Sequence, residues 1–143
     1  MILHAARRFG GILSLAGLGL LAGGMLFFGA VMAPLVFTRL PLDVAGPFIR
    51  AAFPFLYGYC LLFAGLSCLG YLARRRLGAA LVPGFTILGT LWSWFWLMPR
   101  LDAWRLADNS AAFARGHDIS TWVFGAEFFL VLLLLIREGT KQP

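Results

Sequence analysis

The chain has 143 residues, of which 61% are hydrophobic and only 13% are charged, and its mean hydropathy is +0.86. This length fits one domain, and the composition is typical of membrane proteins rather than globular ones. Twelve Lys and Arg outnumber six Asp and Glu, but the arginines flank apolar segments instead of lining one face, which argues against nucleic acid as a partner.

The first apolar segment, residues 9–38, carries no charge. A basic start followed by an apolar run resembles a signal peptide, but the apolar part of a signal peptide is only about 7–15 residues long. We therefore expect an uncleaved transmembrane helix over roughly residues 9–37. Gly19 and Gly23 have the GxxxG spacing that lets helices approach closely in a membrane. They serve either packing inside the bundle or dimerisation.

The second and third apolar segments predict helices over roughly residues 53–73 and 79–98. Apolar surface does not drive helix association in lipid, so small side chains mark the contacts between helices. We expect such contacts at Ala64 on the second helix and at Gly89 and Ser93 on the third.

The fourth segment predicts a helix over roughly residues 119–136. About 20 apolar residues span a bilayer core as a helix, so all four segments are long enough. The two links at residues 44–52 and 100–118 mix aromatic, apolar and charged residues, as short helices lying in the membrane interface do. The predicted fold is all-α: a single transmembrane domain over residues 1–143, folded as a four-helix antiparallel bundle in the lipid bilayer.

Four spans place both termini on the same side of the membrane. That side would carry seven basic residues close to span ends, Arg7, Arg8, Arg74, Arg75, Arg76, Arg137 and Lys141, against five arginines on the other. Basic residues near span ends favour the cytoplasmic side, and tryptophans favour the headgroup interface. All five tryptophans fall toward the opposite, outer side: Trp92, Trp94, Trp96, Trp104 and Trp122. We expect cytoplasmic termini and, from the Gly/Ala/Arg-rich composition, a bacterial inner membrane.

Glu127 lies near the middle of the fourth span and is its single charge. A charged side chain at this depth costs about 2.5 kcal/mol or more, so it faces protein or water and is a candidate functional residue. Two roles stay open. It is either a protonated carboxyl that ties two helices together, with Thr90 and Ser93 at similar depth, or a group that relays protons or binds a cation.

Side chains that could bind a metal ion fall near the outer side: Met32, Met98, His117 and Asp118. Thioethers and an imidazole suit Cu(I), and the carboxylate suits a harder cation. The alternative is interfacial packing, with Asp118 as the N-cap of the fourth helix. A haem held between the two histidines is not expected, because His4 and His117 would lie on opposite faces. No other cofactor is predicted, and the sequence lacks the common catalytic motifs, so we do not expect an enzyme.

Residues 27–34 (FFGAVMAP) and 36–41 (VFTRLP) resemble the transmembrane protein 205-like family. Further matching positions along the chain are Phe53, Pro54, Tyr57, Pro99, Arg100, Phe113, His117 and Ser120. The resemblance implies a four-helix membrane protein, related in fold to copper-resistance membrane proteins, in a family with some eukaryotic members associated with resistance to platinum drugs. The family pattern has an asparagine where this chain has Phe124.

The leading functional prediction is a non-enzymatic membrane protein that handles or exports a metal ion or a toxic compound. The site would combine Met32, Met98 and His117 at the outer face with Glu127 below. The alternative is a structural or accessory subunit that forms homo-oligomers through the glycine-rich first helix and binds no ligand.

Overall fold

The computed structural model describes the backbone of residues 2–140 and the side chains of residues 7–140. Helix α1 begins as an α-helix at Ile2–Leu26, passes through a π-helical turn at Phe27–Met32 and ends as an α-helix at Ala33–Arg39. Helix α2 is Leu42–Ala73. Helix α3 consists of Leu77–Trp92, a second π-helical turn at Ser93–Leu97, and Met98–Leu106; helix α4 is Ser110–Gly139. No strand occurs in the described residues, which confirms the predicted all-α class.

The four helices are long and apolar enough to cross a membrane. Each helix is longer than its predicted apolar segment. A helix of 30 residues is about 45 Å long, which exceeds the roughly 30 Å of bilayer hydrocarbon. Large apolar side chains cover the outside of the bundle; Phe55, for example, is 82% exposed. Such a surface belongs in lipid rather than in water.

Two short turns at one end of the bundle take the place of the interfacial links that we expected. Residues 44–52 belong to α2, and residues 100–118 are divided between α3 and α4, because only residues 40–41 and 107–109 lie outside helices there. Helix α4 begins early because the side chain of Asn109 caps it, accepting a hydrogen bond from the Ala112 N–H at 3.0 Å. The predicted N-cap role of Asp118 is therefore wrong: it lies inside α4 and is exposed.

Helices α1 and α2 pack backbone against backbone through small residues. A Cβ atom added at Gly17 would lie 2.8 Å from the Ser67 nitrogen, and one added at Gly10 would lie 2.9 Å from the Gly70 oxygen. The Ser67 hydroxyl donates to the Ser14 carbonyl at 3.2 Å across the same contact. These glycines let the two helices approach more closely than any larger residue permits.

Gly19 and Gly23 do not take part in this packing. A Cβ atom added at either position would meet nothing within 4 Å, so the expectation that they pack inside the bundle is wrong. Two residues turn an α-helix by about 200°, so Gly19 faces away from α2 when Gly17 faces it. Ala64, by contrast, is fully buried in the core with Leu18.

The two ends of the bundle differ in composition. We call the end with the turns at residues 40–41 and 107–109 the tryptophan end, because the tryptophans lie toward it. The arginine end contains the start of α1, the turn at residues 74–76 and the end of α4.

Candidate functional site

A cavity of about 600 Å³ lies between the four helices toward the tryptophan end. Its lining is mostly apolar and aromatic, with Phe28, Phe53, Leu56, Phe113 and Phe124 among the residues. Each helix contributes, so the cavity depends on the whole bundle. Pockets of about 300–1,000 Å³ with mainly apolar walls and a few polar groups are typical of small-molecule sites.

Both π-helical turns border this cavity. Phe28 and Gly29 come from the turn in α1, and Ser93 comes from the turn in α3. A π-helical turn is wider than an α-helical one and occurs often at functional sites. The widened turns help to aim these side chains at the space between the helices.

The cavity opens between α1 and α4. The lining residues of α2 and α3 are largely buried, as are Tyr57, Cys60, Thr90 and Ser93. The lining residues of α1 and α4 include exposed ones, namely Gly29, Pro34, Phe37, His117 and Thr121. The floor of the cavity is therefore on α2 and α3, and its opening lies along the α1 and α4 side.

Glu127 reaches the cavity from α4 and is only 3% exposed. Its Oε1 atom is buried and has no hydrogen-bond partner among the described residues. Gly89 on α3 makes room for this carboxyl, because a Cβ atom at that position would overlap Oε1. The hydrogen bond that would tie α3 to α4 through this oxygen is not formed, although Thr90 and Ser93 line the same cavity. Buried polar atoms without partners are costly and uncommon.

Aromatic rings form a continuous series along one side of the cavity. The ring of Phe28 on α1 lies 5.6 Å from that of Phe53, which stacks at 5.6 Å on Tyr57. Tyr57 in turn lies 5.8 Å from Trp94 on α3. These centroid distances fall within the range of favourable ring pairs, so the series links three helices around the site.

An ion pair joins α2 to α3 in the lining. Arg50 Nε donates to Asp102 Oδ1 at 2.7 Å, and a second bond joins Arg50 Nη2 to Oδ2. Both side chains are about one-third exposed, which places the pair toward the edge of the bundle. Arg105 is also in the lining and lies over the Phe113 ring, 4.9 Å from its centroid.

The structure brings together part of the predicted metal site. Met98, 4% exposed, and His117, exposed and stacked on Phe113 with centroids 6.1 Å apart, both line the cavity. Met32 and Asp118 do not line it. No group of three or more His, Cys, Asp and Glu that could hold a metal ion occurs in the described residues. The side chain of His4 lies outside them, so its predicted separation from His117 stays a prediction.

Sequence reasoning missed the pairing of Arg50 with Asp102 and the lining roles of Cys60 and Arg105. The two members of the ion pair are 52 residues apart, and arginines near span ends are ordinary. In the sequence, Tyr57 stands out only as a position of family resemblance. A signal that could have found the pair is its helix position: Arg50 lies about two turns after the start of α2, and Asp102 lies about one turn before the end of α3.

The fold and the cavity define a multi-pass α-helical membrane protein with a cavity inside its bundle. The chain belongs to the family described as a domain of unknown function (DUF4149), whose model matches residues 16–110. The matched range covers most of α1 and all of α2 and α3 but only the first residue of α4, so Glu127 and His117 lie beyond it. No curated protein and no solved structure matches the chain. The transmembrane protein 205-like resemblance stays a prediction.

Proposed function

We propose that this membrane protein binds a small, largely apolar organic compound that carries one positive charge, and handles it within the bilayer. The observation that carries the proposal is the Glu127 carboxyl. It is buried, its Oε1 has no hydrogen-bond partner among the described residues, and it borders a cavity of about 600 Å³.

The chemistry of the lining favours a cation. A buried carboxylate without a counter-charge is unfavourable, and a ligand's positive charge would supply the missing partner. Aromatic faces also attract cations, and the rings of Phe28, Phe53 and Tyr57 surround the same space. The other carboxylate of the lining, Asp102, is already paired with Arg50.

The position of the opening favours a compound that dissolves in the membrane. Most of the exposed lining residues lie on α1 and α4 within the lengths of the spans, Arg105 on α3 being the exception, so a compound in the bilayer reaches the site from the side. Handling or export of a toxic amphiphile fits this route, as does the resemblance to a family with members associated with drug resistance. We place both termini in the cytoplasm, and the protein in a bacterial inner membrane, as part of the same proposal.

Binding of tetraphenylphosphonium to the purified protein in neutral detergent tests the proposal. Glu127→Gln keeps the volume of the side chain and removes its ability to ionise, so we expect about a tenfold or greater loss of affinity, equivalent to about 1.4 kcal/mol. Asp118→Asn is the matched control, because it removes an exposed carboxylate of the same helix that does not line the cavity. Isothermal titration gives both affinities.

A neutral probe of similar size, triphenylphosphine oxide, separates charge from shape. We expect it to bind more weakly than the cation and to be unaffected by Glu127→Gln. Equal affinity of the wild type for both probes, or unchanged cation binding in Glu127→Gln, would show that the carboxyl does not select the ligand.

The hypothesis that the protein binds a metal ion is supported by one observation: Met98 and His117 line the same cavity. Titration with Cu(I) tests it, with His117→Ala and Met98→Leu as the variants. Saturable binding that both variants lose would favour a metal ion over an organic cation. If both variants bound Cu(I) as the wild type does, the metal-ion hypothesis would be refuted.

The scaffold alternative is supported by the open face at Gly19 and Gly23, where an added Cβ atom would meet none of the described residues within 4 Å. A second copy could use this face for close packing. If Gly19→Leu with Gly23→Leu abolished a stable oligomer while the cation probe never bound the wild type, the scaffold function would replace ligand handling.

A further inference from the structure

At the arginine end, four guanidinium groups surround a second concavity of about 450 Å³. Arg7 and Arg8 come from the start of α1, and Arg74 and Arg76 come from the turn between α2 and α3. None of the described residues that line this concavity is acidic. It shares no residue with the cavity at the tryptophan end.

Two of the four arginines are held in place from within the protein. Arg74 Nη1 donates to the Ser14 hydroxyl oxygen at 3.3 Å. Arg76 Nη2 donates to Glu138 Oε1 at 2.7 Å, and its Nη1 bonds the other oxygen of the same carboxylate. The bond with Glu138 raises the pKa of Arg76 above its ordinary value, so this guanidinium stays charged. Side chains fixed in this way have less freedom to lose when they bind a ligand.

The close packing of α1 on α2 explains why the four side chains converge. Gly10 and Gly70 bring the two backbones together, and a Cβ atom at Gly10 would lie 3.2 Å from the Arg74 side chain. Arginines that served only to set membrane orientation would not need to share one concavity. Glu138 balances one of the four charges, and the other three repel one another at short range.

We propose that this concavity binds the phosphate group of an anionic phospholipid. The planar guanidinium fork bonds phosphate oxygens in pairs, and its charge complements theirs. The concavity lies where the membrane-spanning helices end, at the level of lipid headgroups. Basic pockets between transmembrane helices are known to hold such headgroups.

Native mass spectrometry of the detergent-purified full chain tests this assignment, with phosphatidylglycerol and phosphatidylcholine as probes. The double variant Arg7→Gln with Arg8→Gln removes two charges from the lining; both side chains are exposed, so the fold should persist. The matched control is Arg75→Gln with Arg137→Gln, which removes two exposed charges at the same end that do not line the concavity. Both variants are checked against the wild type for thermal stability.

The wild type should bind phosphatidylglycerol in preference to phosphatidylcholine. The lining variant should lose about 30-fold in affinity for phosphatidylglycerol, because each of its two arginines contributes to binding of the anionic lipid. The control should lose less than about threefold, because its two arginines do not line the concavity. Equal losses in the two variants would show a general effect of net charge and overturn the proposal. Displacement of the lipid by millimolar inorganic phosphate would assign the concavity to a soluble phosphate and overturn the lipid assignment.

Discussion

The arginine end and the tryptophan end of this bundle use opposite kinds of residue between helices. At the arginine end, Gly10 and Gly70 face each other and the backbones nearly touch. At the tryptophan end, rings such as Phe28, Phe53 and Tyr57 stand between the helices and a cavity of about 600 Å³ remains.

The difference shows how close helix packing and an internal cavity occur together in one small bundle. Close backbone contact fixes two helices with little side-chain volume. At the tryptophan end, rings stand between the helices, and the cavity lies among them. Substitutions at either end should therefore have different effects.

The largest expected effect is at the backbone contact. In Gly70→Ala the new Cβ atom would lie 2.6 Å from the Gly10 oxygen, so we expect a loss of about 3 kcal/mol in the free energy of unfolding, as for an overpacked core. Gly65→Ala is the control on the same helix, because its Cβ atom would meet nothing within 4 Å. Unfolding by sodium dodecyl sulfate measures both, and similar stabilities would refute close packing at Gly70.

The next largest effect should be the loss of stability when the arginine of an ion pair is replaced, and this loss should differ between the two ends. Glu138 is 5% exposed, whereas Asp102 is 38% exposed. Arg76→Gln removes the guanidinium that bonds both oxygens of the buried Glu138 carboxylate and should cost about 2 kcal/mol of stability. Arg50→Gln makes the same change in the more exposed pair and should cost less than about 1 kcal/mol. The same unfolding assay compares them, and a reversed order would contradict the assigned burial.

Filling the opening of the cavity should affect binding rather than stability. A Cβ atom at Gly29 would lie 3.5 Å from the Phe124 ring, an ordinary contact, so Gly29→Leu is tolerated and its longer side chain obstructs the opening. We expect about a tenfold loss of tetraphenylphosphonium affinity, equivalent to about 1.4 kcal/mol. Ala30→Leu changes the next, exposed residue outside the lining and should bind normally. If Gly29→Leu and Ala30→Leu bound tetraphenylphosphonium equally well, the ligand would not enter past Gly29.

The smallest effect should be at Gly19, where an added Cβ atom would meet none of the described residues within 4 Å. Gly19→Ala adds a methyl group where the chain has open space, so the protein should gain up to about 1 kcal/mol from the better helix propensity of alanine. Thermal unfolding in detergent checks this result. If Gly19→Ala instead destabilised the protein at low protein concentration, another part of the same chain would have to pack against this face.

The four helices and the candidate Glu127 were predictable because both depend on local sequence. Uninterrupted apolar segments predict spans, and one acid in the middle of a span predicts a buried carboxyl. The faces of the helices were not predictable: Gly19 and Gly23 had the better-known spacing, yet Gly10 and Gly17 make the contact with α2. The partner of Arg50 depends on how α2 and α3 are placed in space, and no local pattern records that placement.

The π-helical turns at Phe27–Met32 and Ser93–Leu97 make the helical wheel misleading for this protein. A π-helical turn takes in more residues than an α-helical one, and one residue corresponds to about 100° of rotation. A wheel drawn at 100° per residue from the start of the helix therefore misplaces the residues beyond the turn by about 100°. Deleting a single residue from either turn should restore a regular α-helix and leave the residues on both sides of it on their present faces. The two π-helical turns are thus the places where α1 and α3 should accept the loss of one residue most readily.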